Sequence, residues 1–118
     1  MYKSEDGTVL HNDATCIGCR SCIMACPYGS PQYLEAEGMV VKCDTCKALR
    51  DAGMNPVCVN ACPSRALDFG DLDELRQKYG SDLVSEVAVL PDACLTNPNL
   101  LIKARESSFD ESYREVTF

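Results

Sequence analysis

Eight of the nine cysteines in this 118-residue chain fall into two groups with related spacing. The groups are Cys-x2-Cys-x2-Cys-x3-Cys-Pro and Cys-x2-Cys-x11-Cys-x3-Cys-Pro, so the second is a copy of the first with one insertion. The eight positions are Cys16, Cys19, Cys22, Cys26, Cys43, Cys46, Cys58 and Cys62. An internal repeat of this kind predicts two related cofactor-binding units.

The spacing of the first group is typical of ligands to a 4Fe-4S cluster. A cubane needs four soft anionic ligands at its iron corners, and cysteine thiolates are such ligands. Three closely spaced cysteines reach one cluster, and a fourth followed by Pro ligates the other cluster of two-cluster ferredoxins. We therefore predict that all eight cysteines bind metal, in two 4Fe-4S clusters. Within this chain the rule assigns Cys62 to the cluster of the first group and Cys26 to that of the second.

Zinc and disulfides are the competing uses of these cysteines. The second group alone has a pair, a spacer and a second pair, which also matches a structural zinc site with four thiolates. A disulfide framework is disfavoured by the odd cysteine count and by residues 1–10, which are polar and acidic, so that no signal peptide is expected. Cys94 stands apart from both groups and is expected to be a packed or idle thiol.

Composition and motifs exclude several other functions. The formal net charge of -7 disfavours a nucleic-acid partner, because phosphate backbones are bound by clustered Lys and Arg. No apolar stretch approaches the roughly 20 residues that cross a bilayer, so no direct membrane span is expected. No Ser-His-Asp set, paired-acid site or phosphate-binding glycine loop indicates catalysis. His11, the only histidine, is expected to be a solvated strand residue.

Short secondary-structure elements are predicted around the cysteines. Strands are expected over residues 8–11, 39–42 and 66–69. A helix is expected to begin at Cys43 and Cys46 and to reach about Ala52, with Gly53 as its C-terminal cap. Asp71, with Glu74 three residues later, resembles a capping box and predicts another helix that Gly80 ends.

The predicted fold class is α+β, a dicluster bacterial ferredoxin-like (4Fe-4S) domain with little conventional core and an extended C-terminal tail. In that tail, residues 100–102 could add a strand to a partner, and the end of the chain is expected to be mobile. The predicted domains are a 4Fe-4S dicluster domain at 1–70, a packing helix and following segment at 71–90, and an extended partner-binding or mobile tail at 91–118.

Longer stretches of the chain carry a resemblance to a known family. They include Cys16-Ile-Gly-Cys19-Arg-Ser-Cys22-Ile-Met-Ala-Cys26-Pro-Tyr-Gly, Lys42-Cys43-Asp-Thr-Cys46, Cys58-Val-Asn-Ala-Cys62-Pro and Arg65-Ala-Leu-Asp-Phe-Gly70. On these residues, and on 73–80 and 96–102, the chain resembles the iron-sulfur subunits (B subunits) of anaerobic dimethyl sulfoxide reductases. Those subunits belong to the molybdopterin oxidoreductase 4Fe-4S subunit family, whose polysulfide, tetrathionate and formate members share the cysteine plan.

The resemblance implies a non-catalytic subunit that relays single electrons through 4Fe-4S clusters in anaerobic respiration. Its partners would be a molybdopterin-containing catalytic subunit and a quinol-linked membrane anchor subunit. It would be cytoplasmic, or peripheral at the cytoplasmic membrane as part of that complex. A free-standing two-cluster ferredoxin is the alternative, and a zinc-binding structural module is a further one.

Members of this family have four cysteine groups, of which this chain matches the third and the fourth. The sequence is therefore interpreted as the C-terminal half of such a subunit. In the family, the third group pairs with the second and the fourth with the first. The resemblance thus implies that Cys26 and Cys62 complete clusters whose other ligands are absent from this sequence, whereas the spacing rule pairs the two groups with each other.

Overall fold

The computed structural model of the chain describes residues 1–112, and the regular elements among them are short. The strands are β1 (Tyr2–Lys3), β2 (Val9–Leu10), β3 (Gln32–Leu34) and β4 (Met39–Val41). The helices are α1 (Ser21–Ala25), α2 (Lys47–Asp51), α3 (Val57–Ala61), α4 (Leu72–Tyr79) and α5 (Ala93–Thr96). Short 3₁₀ helices span Asp13–Thr15 and Glu106–Phe109.

The chain divides into two compact units, Met1–Phe69 and Gly70–Phe118. Both cysteine groups lie in the first unit, and Cys94 lies in the second. Within residues 1–112, no helix combines the length and the apolar character that crossing a bilayer requires.

Two antiparallel hairpins belong to the first unit. β1 pairs with β2, and β3 pairs with β4, with Tyr33 opposite Val40. Side chains close the turn of the first hairpin, because the hydroxyl of Ser4 and the backbone N–H of Thr8 both donate to the carboxylate of Asp6. Such local bonds make a two-stranded ribbon possible where sheet pairing alone would be marginal.

The first unit has little conventional core. Among residues 1–112, Val40 is the fully buried apolar side chain, with 1% of its surface exposed. In contrast, Ile17 and Met24 in the first cysteine group are 86% and 80% exposed. An apolar side chain contributes about 1.5–3 kcal/mol only when it is fully buried. Packing between side chains therefore stabilises this unit weakly.

Three helices of the first unit, α1, α2 and α3, lie within the cysteine groups and have five residues each. Helices of this length are not stable on their own. α1 and α2 each begin after a residue with left-handed backbone, Arg20 (φ 61°) and Cys46 (φ 52°). α3 begins after Pro56, whose ring restricts φ. The turns, rather than the helices, therefore determine where the cysteines point.

The helix predicted between Asp71 and Gly80 is confirmed as α4. The Asp71 carboxylate accepts the backbone N–H of Asp73 at 2.8 Å, as an N-cap does. Acidic residues occupy the first turn and basic residues the last, which the helix dipole favours. Gly80 ends the helix with φ 99°.

The strand predicted over residues 66–69 is wrong, because these residues have no regular structure. Arg65 has φ 53°, which turns the backbone. The backbone N–H of Ala66 donates to the sulfur of Cys62 at 3.3 Å. The N–H of Ala66 is therefore bonded to a thiol and does not donate to a neighbouring strand. The other two predicted strands form but are shorter, and β1 and β3 were not predicted.

The tail, residues 91–118, is not extended throughout. Asp92 accepts the backbone N–H of Cys94 at 3.0 Å and thereby caps α5. Ile102 forms an antiparallel bridge with Val84, with N–O distances of 2.8 and 3.0 Å, so it pairs within its own unit. Mobility was predicted for the last dozen residues, 107–118; a 3₁₀ helix, Glu106–Phe109, overlaps the start of this range, and residues 113–118 lie outside the described residues.

Gly18 and Gly29 test how strongly the first cysteine loop depends on close packing. Both have positive φ, 68° and 61°, but a Cβ on Gly18 would overlap the carbonyl oxygen of Gly38, while one on Gly29 would meet nothing. Left-handed backbone costs an alanine roughly 1–2 kcal/mol. Overpacking adds about 1–3 kcal/mol. We expect Gly29→Ala to lower the free energy of unfolding by about 1–2 kcal/mol, the backbone cost. We expect Gly18→Ala to lower it by that cost and by a further amount of about 1–3 kcal/mol from overpacking. Denaturant unfolding followed by circular dichroism measures this, and equal losses would contradict it.

Candidate iron-sulfur site

Hydrogen-bond donors surround the thiols at the start of the first cysteine group. The backbone N–H groups of Val40 and Gly18 lower the pKa of the Cys16 thiol. The hydroxyl and the N–H of Ser21 lower the pKa of the Cys19 thiol, while burial and, to a smaller extent, the charge of nearby Cys16 oppose this. The two sulfurs therefore lie within electrostatic reach of each other. Such donors stabilise the thiolate, which is the form that binds iron.

His11 lies beside Cys16 and is not the solvated residue that was predicted. Its side chain is 10% exposed, and its Nδ1 lies 2.7 Å from the Asp13 carboxylate. That hydrogen bond is the largest of the effects on the pKa of His11 and raises it. Burial lowers this pKa, and the Cys16 thiol raises it further. A lone histidine before a cysteine group gives no sequence signal of this contact.

The second cysteine group contains two consecutive non-glycine residues with left-handed backbone. Thr45 has φ 57° and Cys46 has φ 52°. This conformation costs roughly 1–2 kcal/mol per residue, so contacts must hold the turn. The N–H of Thr45 donates to the Cys43 sulfur at 3.3 Å, and the N–H of Cys46 donates to the Asp44 carboxylate at 2.8 Å. The Nε of Arg50 donates to the Thr45 carbonyl at 2.9 Å.

Cys62, which ends the second group, receives donors from the residues that follow it. The hydroxyl oxygen of Ser64 lies 3.4 Å from the sulfur, and the N–H of Ala66 donates to it at 3.3 Å. These contacts lower the pKa of the Cys62 thiol, with Ser64 making the largest contribution. The pattern found at the first group, donors directed at sulfur, therefore recurs at the end of the second.

No disulfide links the nine cysteines, all of which lie among residues 1–112. Half-buried thiols of the two groups are Cys16, Cys22, Cys26, Cys46 and Cys62, and exposed ones are Cys19, Cys43 and Cys58. Among residues 1–112, no three His, Cys, Asp or Glu side chains converge on one ion.

Cys94 differs from the thiols of the two groups. It is exposed, so it is not packed. The Asp92 carboxylate bonded to it is the largest cause that raises the pKa of its thiol, followed by burial and the charges of Asp92 and Glu86. A raised pKa disfavours the thiolate, whereas the pKa values of Cys16, Cys19 and Cys62 are lowered. Cys94 therefore differs from these thiols both in its position in the chain and in its electrostatic surroundings.

The family profile of the 4Fe-4S dicluster domain matches residues 1–72. This range contains both cysteine groups and the strands β1 to β4. The match covers more than half of the sequence, and the chain therefore belongs to the 4Fe-4S dicluster domain family. The predicted dicluster fold class and the predicted 4Fe-4S clusters are confirmed.

Among individual proteins, the chain is similar to the B subunit of anaerobic dimethyl sulfoxide reductase from Escherichia coli (strain K12). The identity is 52% over 108 residues, which are 92% of this chain and 52% of that protein. The protein of the same name from Haemophilus influenzae is 50% identical, over 87% of this chain and 49% of its own length. The B subunit of polysulfide reductase from Wolinella succinogenes is 40% identical, over 86% of this chain and 54% of its own length. The chain thus spans about half the length of these curated relatives, and the predicted resemblance is confirmed.

Replacing Cys94 by Ser is expected to leave the iron and acid-labile sulfide content of the protein unchanged, because Cys94 lies outside both cysteine groups. Cys43→Ser is the matched control, since both thiols are exposed but Cys43 belongs to a group. We expect Cys43→Ser to lower both contents. Analysis of anaerobically purified protein measures them, and a loss of iron in Cys94→Ser would contradict the assignment of Cys94 as an idle thiol.

Proposed function

We propose that this chain is a non-catalytic electron-transfer subunit of a reductase complex of the dimethyl sulfoxide reductase type. It relays single electrons through 4Fe-4S clusters between a quinol-linked membrane anchor subunit and a molybdopterin-containing catalytic subunit. The observation that carries the proposal is the pair of cysteine groups with donors directed at their sulfurs. These groups lie in a chain that is 52% identical to the B subunit of such a reductase.

In this proposal the cysteines of both groups are the cluster ligands. They are Cys16, Cys19, Cys22, Cys26, Cys43, Cys46, Cys58 and Cys62. A bound 4Fe-4S cluster supplies one-electron oxidation and reduction. N–H groups directed at the ligand sulfurs stabilise the additional negative charge of the reduced state, and so raise the reduction potential. Thr45 at Cys43 and Ala66 at Cys62 provide such donors.

The remaining parts of the proposal concern domains, partners and location. Residues 1–70 form the cluster domain, residues 71–90 a helix and the segment after it, and residues 91–118 a tail directed at partners. The formal charge of -7 suits basic surfaces on partner proteins, to which an acidic chain is attracted over a distance. Assembly with a membrane anchor gives the chain a peripheral location at the cytoplasmic membrane.

A free-standing two-cluster ferredoxin is the second candidate function. Both cysteine groups lie in one compact unit, Met1–Phe69, and their eight thiols suffice for two cubanes. In a ferredoxin, Cys26 and Cys62 would each complete the cluster of the other group. In a subunit of the family, both would complete clusters with ligands outside this sequence. The two candidates therefore differ in cluster pairing and in partners.

Purification from the native host under anaerobic growth distinguishes these candidates. We expect the tagged chain to co-purify with a molybdopterin-containing protein and a membrane protein, and a quinol to reduce the clusters of that complex. Cys43→Ser is expected to abolish electron flow from quinol to the molybdopterin subunit, because the relay is interrupted. Cys94→Ser, the matched control, should retain that flow.

The contrary result is a chain that carries its clusters but is isolated alone. If such a chain is not reduced by quinol in the presence of membranes, the subunit proposal is wrong. The ferredoxin would then be the better account of the same cysteine groups.

A further inference from the structure

One side chain of α2, Arg50, connects three segments of the first unit. Its Nη2 donates to the Thr8 hydroxyl at 2.6 Å and to the Asp6 carboxylate at 3.2 Å, both in the first hairpin. Its Nε donates to the Thr45 carbonyl at 2.9 Å, in the loop of the second cysteine group. Its guanidinium carbon lies 5.0 Å from the centre of the Phe69 ring. The Arg50 side chain is largely buried, at 17% exposure.

The partner of Arg50 in the hairpin, Asp6, is a fixed negative charge. The hydroxyl of Ser4 is the largest cause that lowers the pKa of Asp6, followed by the N–H of Thr8. Thr8 is itself buried, at 8% exposure, and its hydroxyl also donates to Asp6. The Arg50 guanidinium therefore binds to a carboxylate that also accepts hydrogen bonds from Ser4 and Thr8 in the turn.

The Thr45 carbonyl lies at the most strained point of the second group. Thr45 and Cys46 both have left-handed backbone, and neither is glycine. The N–H of Thr45 donates to the Cys43 sulfur, so the conformation of Thr45 determines the direction of that donor. Cys46 is the residue that precedes α2. A bond to the Thr45 carbonyl therefore acts on both cysteines of the pair.

We propose that Arg50 is a positioning residue for Cys43 and Cys46, which tunes the cluster that they bind by holding the left-handed turn between them in place. The inference rests on the proposed function, in which these two cysteines are cluster ligands. Only a planar guanidinium presents donors in two directions at fixed angles, so charge alone does not reproduce the arrangement.

Lys47 provides a matched control on the same helix. It follows Cys46 directly, carries the same charge, and also contacts Asp6, at 3.3 Å. Its other described ion-pair partner is Asp51, at 2.8 Å. Lys47→Gln therefore removes a positive charge next to the ligand without removing the Arg50 bond to Thr45.

Redox titration followed by electron paramagnetic resonance tests the proposal on the full chain purified anaerobically. We expect Arg50→Lys and Arg50→Gln each to shift the midpoint potential and the line shape of one cluster, that of the second group. The other cluster signal should be unchanged. Lys47→Gln should shift the same potential by less than Arg50→Lys does.

Two results would overturn the proposal. One is that Arg50→Lys leaves both cluster signals as in the wild type. The other is that Lys47→Gln shifts the potential as much as Arg50→Gln, which would show that charge rather than positioning acts. If Arg50→Gln loses iron altogether, Arg50→Lys decides by the same criterion. Wild-type protein without iron-sulfur signals would instead contradict the proposed function.

Discussion

The first unit buries very little apolar surface, and this limits what can hold it together. Among residues 1–112, Val40 is the fully buried apolar side chain. Burying one such side chain contributes about 1.5–3 kcal/mol, whereas ordering the backbone of a single residue costs roughly 1–2 kcal/mol. Bonds between thiolates and a metal cofactor contribute folding free energy directly in small metal domains. The two cysteine groups therefore organise the fold as well as the chemistry.

The same constraint explains the unusual backbone around the cysteines. Left-handed residues lie within the two cysteine groups, at Arg20, Thr45 and Cys46. Strained backbone persists only where its surroundings hold it, and here they do so with polar contacts rather than with a core. Arg50 donates a hydrogen bond to the Thr45 carbonyl and another to the Asp6 carboxylate, which lies in the first hairpin. The turn between Cys43 and Cys46 is thus supported by the first hairpin through Arg50.

Part of this structure follows from local sequence signals. Cysteine spacing predicted the cofactor and the fold class, because ligand geometry restricts spacing directly. The capping signals of α4 were equally local. The strand predicted at residues 66–69 failed because the N–H of Ala66 bonds to the Cys62 thiol, and no strand propensity reports such a partner. The contacts of His11 with Cys16 and of Arg50 with Asp6 could not be predicted. They depend on where the first hairpin lies relative to the cysteine groups, which no local sequence signal gives.

In the proposed function, closely spaced thiolates hold 4Fe-4S clusters, and these clusters give the protein both its structure and its role in electron transfer. The metal and sulfide content of the folded protein, purified without oxygen, tests this. We predict iron and acid-labile sulfide in equal amounts, up to about eight of each per molecule. A folded protein that contains zinc, or no metal, and lacks sulfide would contradict the claim.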